Sequence, residues 1–395
     1  MFKKYKVLVL TDHMPWGHRS IAKAIYGYLK KREKEEDIRV DYAEIMAETG
    51  VLGDAYNLAY KYFPRGNRVF MKVTLSKMIR KLVTEASLDS LPRLKRIVDR
   101  TKPDLVISTF YLHSHALALW KEREQKGFKL WTVVADPWTI NAISFVKGAD
   151  LHLVYDEVGE KFARKYGVPD DEILKCGWWT REEMYKKYDI RKIRNRLGFG
   201  DNRPVIFVGG GSLGTNSLTR IMPILPFLKR KVGLIFNTGK DKLGYNLVEE
   251  YSRLLRKIRK DEVVQIKNMG WIENMAEVLS ACDIVFGKAG PNFLFDVVAV
   301  EKPFVAITHI GGQEDGNIDL IKKKRLGWIR EKKKNAARFL VEYLENPEKY
   351  NNAFKKQIKL EAMKNKDSLS VILERIRKEN KKPTKRVTSI VAFPR

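Results

Sequence analysis

Residues 205–214 read Val-Ile-Phe-Val-Gly-Gly-Gly-Ser-Leu-Gly, a short apolar run followed directly by glycines. The apolar run predicts a buried β-strand, and the glycines predict a tight loop that leads into a helix. Such a loop lets backbone N–H groups approach a phosphate, and the N-terminus of the following helix adds partial positive charge. The segment lacks the Lys-Ser/Thr of a triphosphate loop and the spacing of a dinucleotide fingerprint. It therefore predicts an anion-binding turn or, alternatively, a plain tight turn in an α/β fold.

The same alternation of short apolar runs and helical stretches extends over most of the chain. We predict eight buried strands, at 7–10, 105–108, 130–135, 151–155, 204–208, 232–237, 284–287 and 304–308. A basic junction at 186–202 separates four strands from the other four. This arrangement predicts two Rossmann-like α/β domains facing a cleft, with ligands bound outside the carboxyl ends of the strands.

The 395 residues carry a formal net charge of +28, which predicts a negatively charged partner. Phosphate-bearing ligands, an anionic membrane surface and nucleic acid all fit the charge, but no nucleic-acid-binding motif is recognisable, so nucleic acid is not expected. No stretch approaches the roughly 18 apolar residues of a membrane span. The only two cysteines, Cys176 and Cys282, lie far apart, which is typical of the reducing cytoplasm.

Residues 57–83 interleave aromatic and aliphatic side chains with many lysines and arginines. This mixture is typical of a segment that lies in the headgroup region of an anionic membrane. The alternative is that the apolar side chains pack on the core while the lysines are solvated.

Two further loops follow predicted strands in the second half. Residues 283–296 place Lys288 beside a small-residue loop and Asp296 inside the next helix, where its carboxylate can accept two ribose hydroxyls. Residues 308–317 contain Gln313 and Glu314, which offer donors and acceptors to sugar hydroxyls. The alternatives are a carboxylate that interacts with the helix dipole and a solvated acidic turn.

In order, GGS-x-G, the GWIENM segment at 270–275, KAGP-x4-D and GGQEDGN resemble the GT-B glycosyltransferases of family 28. The wording of the last two motifs is most similar to the diacylglycerol galactosyl- and glucosyltransferases, the monogalactosyldiacylglycerol synthase-like branch. The resemblance spans about residues 5–330. It implies a GT-B fold, a UDP-sugar donor, no cofactor and no catalytic metal.

The resemblance also assigns donor contacts. The diphosphate would lie on the glycine loop, uracil on a backbone group, ribose on Asp296 (where the family has Glu), and the sugar on the Gln-Glu pair. The donor-binding residues expected in this way, with Lys288 added for phosphate, are Gly210, Gly211, Ser212, Ile272, Lys288, Asp296, Gln313 and Glu314.

The start of the chain matches the family's glycine-rich histidine loop less fully. Gly17 and His18 match the family's loop, but Trp16 stands where the family has a glycine, which makes the loop bulkier on the acceptor side. His18 is placed to be the general base that takes the proton of the acceptor hydroxyl, with Asp12 as the competing base or the residue that orients it. The alternative is a solvated or capping histidine at a helix N-terminus.

Two more residues are expected on the acceptor side. Asp136 follows a strand where the family has Thr-Asp, and His113 lies where the family often has a Thr-His-Pro stretch. His113 and His115 could form a metal pair, but no carboxylate shows matching spacing, so a metal site is not expected.

The sequence thus predicts an inverting glycosyltransferase that moves a hexose from a UDP-sugar to a lipid hydroxyl of the diacylglycerol type, at the cytoplasmic membrane face. The expected organisation is an acceptor domain at 1–190, a donor domain at 200–345, helices at 346–380 that cross back to the first domain, and a basic tail at 381–395. A UDP-sugar 2-epimerase of GT-B fold and a non-catalytic, membrane-bound UDP-sugar sensor are the alternatives.

Overall fold

The computed structural model describes residues 4–13, 17–46, 85, 87–200, 202–209, 215–259 and 262–381. The predicted interfacial segment at 57–83 and the last fourteen residues lie outside these ranges. The described chain forms two six-stranded, all-parallel sheets, each covered by helices. This is the predicted architecture of two Rossmann-like domains.

The first sheet has the spatial order β2-β1-β3-β4-β5-β6. Its strands are β1 (Tyr5–Asp12), β2 (Ile38–Ile45), β3 (Leu105–Ser108), β4 (Lys129–Val133), β5 (Leu151–Val154) and β6 (Ile173–Lys175). Its helices are α1 (Gly17–Lys31), α2 (Leu91–Thr101), α3 (Tyr111–Arg123) and α4 (Glu157–Lys165), and α5 (Ile190–Leu197) follows at the junction and packs on the second domain. Short 3-10 helices cover Ser87–Ser90, Ala142–Ser144, Asp170–Glu172 and Glu182–Tyr185.

The second sheet has the order β12-β11-β10-β7-β8-β9. Its strands are β7 (Val205–Gly209), β8 (Val232–Asn237), β9 (Val264–Met269), β10 (Ile284–Lys288), β11 (Phe304–Thr308) and β12 (Gly327–Ile329). The helices are α6 (Lys242–Ile258), α7 (Met275–Ser280), α8 (Pro291–Ala299), α9 (Asp315–Lys323), α10 (Lys333–Glu345), α11 (Pro347–Ala353), α12 (Lys355–Lys366) and α13 (Ser368–Asn380), with 3-10 helices at Thr215–Arg220 and Met222–Phe227.

All eight predicted strands are present, and the four strands that were not predicted are the edges of the two sheets. Interior strands such as β3, β5 and β8 are buried along their whole length, because helices cover both faces of a parallel sheet. The edge strand β9 alternates between exposed and partly buried residues, while β6 and β12 have only three residues each. An apolar run therefore marks the middle of each sheet and not its borders.

Helix starts follow local capping chemistry. Asp156, Asp189, Asp241 and Asn274 each accept a backbone N–H of the helix that follows, which satisfies a donor that the first turn leaves free. The capping at Asp241 explains why α6 begins at Lys242.

The last two helices contact both domains. Helix α12 lies against α8 of the second domain, and α13 lies against α1 of the first. Arg377 of α13 forms an ion pair with Glu36, which follows α1. Helices α12 and α13 therefore bridge the two domains.

A buried cluster around Lys324 joins the two domains and the crossing helix. The Lys324 ammonium group, just after α9, lies 3.0 Å from the Asp156 carboxylate and 3.2 Å from the Glu361 carboxylate. It also donates to the Tyr155 hydroxyl at 2.7 Å, and this hydroxyl donates in turn to Glu361. Because these carboxylates are less than a tenth exposed, removal of the single cation leaves buried charge without compensation.

We expect Lys324→Met to lower the free energy of unfolding by about 3–5 kcal/mol, the typical result of breaking a buried ion pair by removing one partner. The matched variant Lys175→Met removes an exposed pair with Glu157 and is expected to cost no more than about 1 kcal/mol. Urea unfolding of both variants measures the difference. Equal, small losses would contradict the clamping role of Lys324.

Candidate functional site

The site lies in the cleft where the carboxyl ends of the two sheets face each other, the usual position for ligands in open α/β sheets. The start of α1 in the first domain meets the start of α8 in the second. The Asn292 side-chain amide donates to the Gly17 carbonyl at 2.9 Å and accepts from the Trp178 indole at 3.2 Å. A Cβ on Gly17 would lie 2.7 Å from the Asn292 amide nitrogen, so a larger residue would require the Asn292 side chain to shift.

His18 occupies the first turn of α1, next to this contact. Its Nδ1 lies 2.8 Å from the Thr109 carbonyl oxygen, and its ring packs edge-on against Phe110. Burial lowers the pKa of His18 to about 4, against a small opposing effect of the Thr109 hydrogen bond, so the ring is neutral at pH 7. Because a carbonyl only accepts, Nδ1 carries the proton and Nε2 is the basic nitrogen. No hydrogen bond to Nε2 forms within the described ranges.

A second histidine lies behind the first. His113 of α3 is completely buried, packs against the other side of Phe110, and its Nε2 lies 3.9 Å from the Asp12 carboxylate. Burial, followed by the influence of His18, lowers the pKa of His113 to about 3, so this ring is also neutral. We expected His113 on the acceptor side, but the structure places it beneath His18 and away from the cleft surface. His115 points elsewhere, with Nε2 at 2.9 Å from the Ile143 carbonyl.

The residues that fix His18 and the start of α1 were not identified from the sequence. Thr109 holds His18 twice, through its carbonyl and through a hydroxyl that donates to the His18 carbonyl at 3.0 Å. Glu44, at the end of β2, accepts from Arg19 at 2.7 Å and from Tyr42 at 2.6 Å. The signal for Glu44 was the alternating pattern of an edge strand, which was not assigned.

On the donor side, Lys288 and Glu314 form an ion pair. Lys288 ends β10, and Glu314 immediately precedes α9, with its other carboxylate oxygen 2.8 Å from the Ile310 N–H. Glu314 is almost fully buried, so its charge is balanced locally by the ammonium group. Lys288 was expected to face phosphate, and in this structure its ammonium group is engaged by Glu314.

The loop after β4 brings Asp136 to the same place from the first domain. The Thr139 hydroxyl lies 2.8 Å from the Gly316 N–H in the first turn of α9, and a Cβ on Gly316 would lie 2.4 Å from the Trp138 carbonyl carbon. This contact sets Asp136 against the donor loop. Burial and then the charge of Glu314 raise the pKa of Asp136 to about 7, which makes its carboxyl half-protonated near neutrality.

Asp296 lies in the second turn of α8. Its carboxylate is 3.6 Å from the Arg181 guanidinium, and burial raises its pKa to about 6 while Arg181 opposes the rise. Arg181 was not identified from the sequence, because it lies 115 positions away in an irregular segment.

The segment after β9 holds Ile272 in a fixed loop. The Asn237 side chain donates to the Gly270 carbonyl at 2.7 Å, and Asn274 caps α7. Within the described chain, no hydrogen bond engages the backbone N–H or C=O of Ile272. These groups are therefore available to the edge of a base.

Several predicted residues cannot be placed. Trp16, Gly210, Gly211 and Ser212 lie outside the described residues. The segment that follows the glycine loop is a 3-10 helix, Thr215–Arg220, and not an α-helix. Helix α8 starts at the cleft without a side-chain cap, so its first turn retains backbone donors for an anion, whereas the Gly316 N–H of α9 already bonds to Thr139. Gln313 lies one position before Glu314 at the start of α9.

Within the described ranges, no group of three or more His, Cys, Asp or Glu side chains is arranged to hold a metal ion. None of the helices in this part of the chain is both long enough and apolar enough to cross a membrane.

Comparison with known proteins gives consistent results for the two halves of the chain. The family description of monogalactosyldiacylglycerol (MGDG) synthase matches residues 18–178, and that of the glycosyltransferase family 28 C-terminal domain matches residues 205–375. A processive diacylglycerol beta-glucosyltransferase of Bacillus cereus is 22% identical over 335 residues, which cover 82% of this chain and 81% of the relative.

Solved structures share the fold at low identity. HepE of Anabaena in complex with UDP and glucose superposes with a TM-score of 0.54 at 15% identity, covering 95% of this chain and 99% of that chain. The UDP-GlcNAc 2-epimerase of Neisseria meningitidis bound to UDP-GlcNAc superposes with a TM-score of 0.58 at 14% identity, covering 94% and 100%.

The two parallel-sheet domains and their shared cleft define a GT-B protein. Within that class, the first half of the chain matches monogalactosyldiacylglycerol synthase, the second half matches the C-terminal domain of glycosyltransferase family 28, and the whole resembles the diacylglycerol glycosyltransferases.

The contact at Gly316 gives a test of how closely the domains meet. Gly316→Ala places a methyl group against the backbone of Trp138 and Thr139, and we expect it to lower the free energy of unfolding by about 1–3 kcal/mol. Gly27→Ala, in α1 with no atom within 4 Å of the added carbon, is the matched control and should leave stability equal or higher. Thermal or urea unfolding compares them. A Gly316→Ala protein as stable as the control would contradict the close contact.

Proposed function

We propose that this protein is an inverting glycosyltransferase that moves a hexose from a UDP-sugar to the hydroxyl of a diacylglycerol-type lipid at the cytoplasmic face of a membrane. The observation that carries the proposal is the neutral His18, which offers an unprotonated Nε2 at the junction of the two domains. The relative from Bacillus cereus, named for a diacylglycerol acceptor, supports the choice of a lipid.

In this proposal His18 is the general base. The acceptor hydroxyl gives its proton to Nε2 while its oxygen attacks the anomeric carbon and UDP leaves with the bonding electron pair. A neutral imidazole whose Nδ1–H is held by a carbonyl is well oriented for this step, because the Thr109 hydrogen bond persists when the ring becomes charged. Asp12, near His113, acts at a distance by favouring positive charge in this corner.

Charge that develops on the leaving UDP would be stabilised by backbone N–H groups at the cleft. The uncapped start of α8 supplies such donors, and we expect the glycine loop after β7 to add others. Ile272 would bind uracil through its free backbone groups, and Asp296 would bind ribose. Lys288, which pairs with Glu314, would also face phosphate, and Gln313 and Glu314 would contact the hexose.

A UDP-sugar 2-epimerase is the second candidate, because a solved epimerase superposes as well as a glycosyltransferase does. The match of residues 18–178 to MGDG synthase favours the transferase, since the first domain of a GT-B enzyme receives the acceptor. An epimerase would isomerise the sugar of its substrate without any membrane present.

The function is tested by measuring UDP release from UDP-glucose and UDP-galactose, with and without liposomes that contain diacylglycerol and anionic lipid. We expect release only with the liposomes, together with a glycosylated lipid product. The donor that reacts faster identifies the hexose. An isomerised nucleotide sugar in the absence of liposomes would establish the epimerase, and UDP binding without turnover of any acceptor would indicate a sensor.

The pH dependence tests His18 as the base against Asp136, whose carboxyl titrates in a different range. The base must be deprotonated, so His18, with a pKa of about 4, keeps kcat/KM on its plateau down to about pH 5, below which it falls. Asp136 as base would instead produce an acid limb near its pKa of about 7. A limb near pH 7 that Asp136→Asn abolishes would assign the base to Asp136.

His18→Gln should lower kcat at least about 100-fold while UDP affinity stays unchanged.

Asp296 gives a test of the donor side. Asp296→Ala should weaken UDP binding about tenfold or more, because a charge-assisted hydrogen bond to ribose is lost. Asp296→Glu, which carries the family's residue, is expected to bind UDP at least as well as the unaltered protein. Isothermal titration with UDP measures both. An unchanged dissociation constant for Asp296→Ala would contradict the proposed contact between Asp296 and ribose.

A further inference from the structure

The outer side of α6, in the donor domain, carries an apolar stripe that faces solvent. Leu243, Leu247, Leu254 and Ile258 are between 45% and 80% exposed. Their spacing places them on one side of the helix, next to the buried face formed by Gly244, Val248, Ser252 and Leu255. Single exposed leucines are ordinary, but four aligned ones form a continuous patch of the kind that marks a contact surface.

Phe227 extends the patch at the C-terminal end of α6. Its side chain is 73% exposed, at the end of a 3-10 helix. Arg259, directly after α6, donates to the Pro226 carbonyl at 3.1 Å, and the Tyr251 hydroxyl of α6 donates to the Met222 carbonyl. These bonds fix the Phe227 turn against the helix, so the exposed ring does not result from a loose loop.

Basic side chains surround this end of the patch. Lys229, Arg230 and Lys231 begin two positions after Phe227 and are exposed, and Lys257 lies in the last turn of α6. Two nearby acidic groups are already engaged, since Glu345 pairs with Arg230 and Glu250 pairs with Arg253. The patch therefore has an apolar centre and a net positive border.

We propose that this surface, defined by Phe227, Leu243, Leu247, Leu254 and Ile258 with the basic run at 229–231, docks on an anionic lipid bilayer. Apolar side chains of an interfacial helix enter the boundary between headgroups and acyl chains, and basic residues near the surface add electrostatic attraction to anionic lipid. The surface belongs to the donor domain. It does not depend on the proposed activity.

A second copy of this chain fits the surface less well. In a twofold contact the same patch faces itself, which brings the basic runs of both copies to one interface. Like charges close together disfavour such a pairing, whereas anionic headgroups are attracted to them.

The experiment attaches an environment-sensitive fluorophore to the full-length protein at Leu254→Cys. The native thiols, Cys176 and Cys282, are buried, so the label is directed to the introduced site. Met363→Cys on α12 is the matched control, because Met363 is 57% exposed and Leu254 is 54% exposed. Vesicles of phosphatidylcholine alone and of phosphatidylcholine with phosphatidylglycerol are the probes.

We expect the Leu254 label to brighten and shift to the blue with phosphatidylglycerol vesicles, to lose this response in high salt, and to respond weakly to phosphatidylcholine. The Met363 label should not respond. No response at Leu254 while the protein co-sediments with vesicles would overturn the proposal, as would an equal response at both sites. A blue shift that needs only higher protein concentration would identify the patch as a self-association surface instead.

A second variant tests the contribution of the patch to binding. Phe227→Ser combined with Leu254→Ser and Ile258→Ser removes exposed side chains only, so the fold is expected to persist and circular dichroism verifies it. Co-sedimentation with phosphatidylglycerol vesicles should weaken about tenfold or more. The control Leu360→Ser with Met363→Ser, two exposed residues of α12, should leave binding unchanged. Equal binding by both multiple variants would overturn the proposal.

Discussion

The buried ion cluster of Lys324 is the interaction on which the geometry of the cleft depends. It ties a loop after β5, the end of α9 and helix α12 together, and these belong to the first domain, the second domain and the crossing segment. One cation facing two nearly buried carboxylates is costly to disturb, so it favours a single mutual placement of the sheets.

Two short contacts at the front of the cleft then define the site. Asn292 joins the starts of α8 and α1, and Gly316 joins the start of α9 to the loop that carries Asp136. These contacts bring Asp136 of the first domain next to Glu314 of the second, and they bring the first turn of α1, which carries His18, to the start of α8. A Cβ at Gly316 would collide with the backbone of the opposing domain, whereas one at Gly17 would meet only the Asn292 side chain.

The interior of each sheet was predictable from sequence, and its borders were not. Strands such as β7 and β10 are buried on both faces and therefore appear as apolar runs, whereas β2 and β9 alternate and resemble loops. His18, Asp136 and Glu314 were found because each follows such a run. Thr109, which holds His18, Arg181, which faces Asp296, and Asn292, which joins the two domains, were not found, because contacts between residues 91 to 275 positions apart leave no local pattern.

The proposed mechanism requires His18 to be held as a neutral imidazole with its proton on Nδ1. Nitrogen-15 NMR of the six histidine rings, with His18 assigned by its loss in His18→Gln, measures this directly. We expect a neutral ring at pH 7 with a protonated Nδ1 and an unprotonated Nε2, and titration only near pH 4. A His18 ring that is charged at pH 7, or that carries its proton on Nε2, would contradict it.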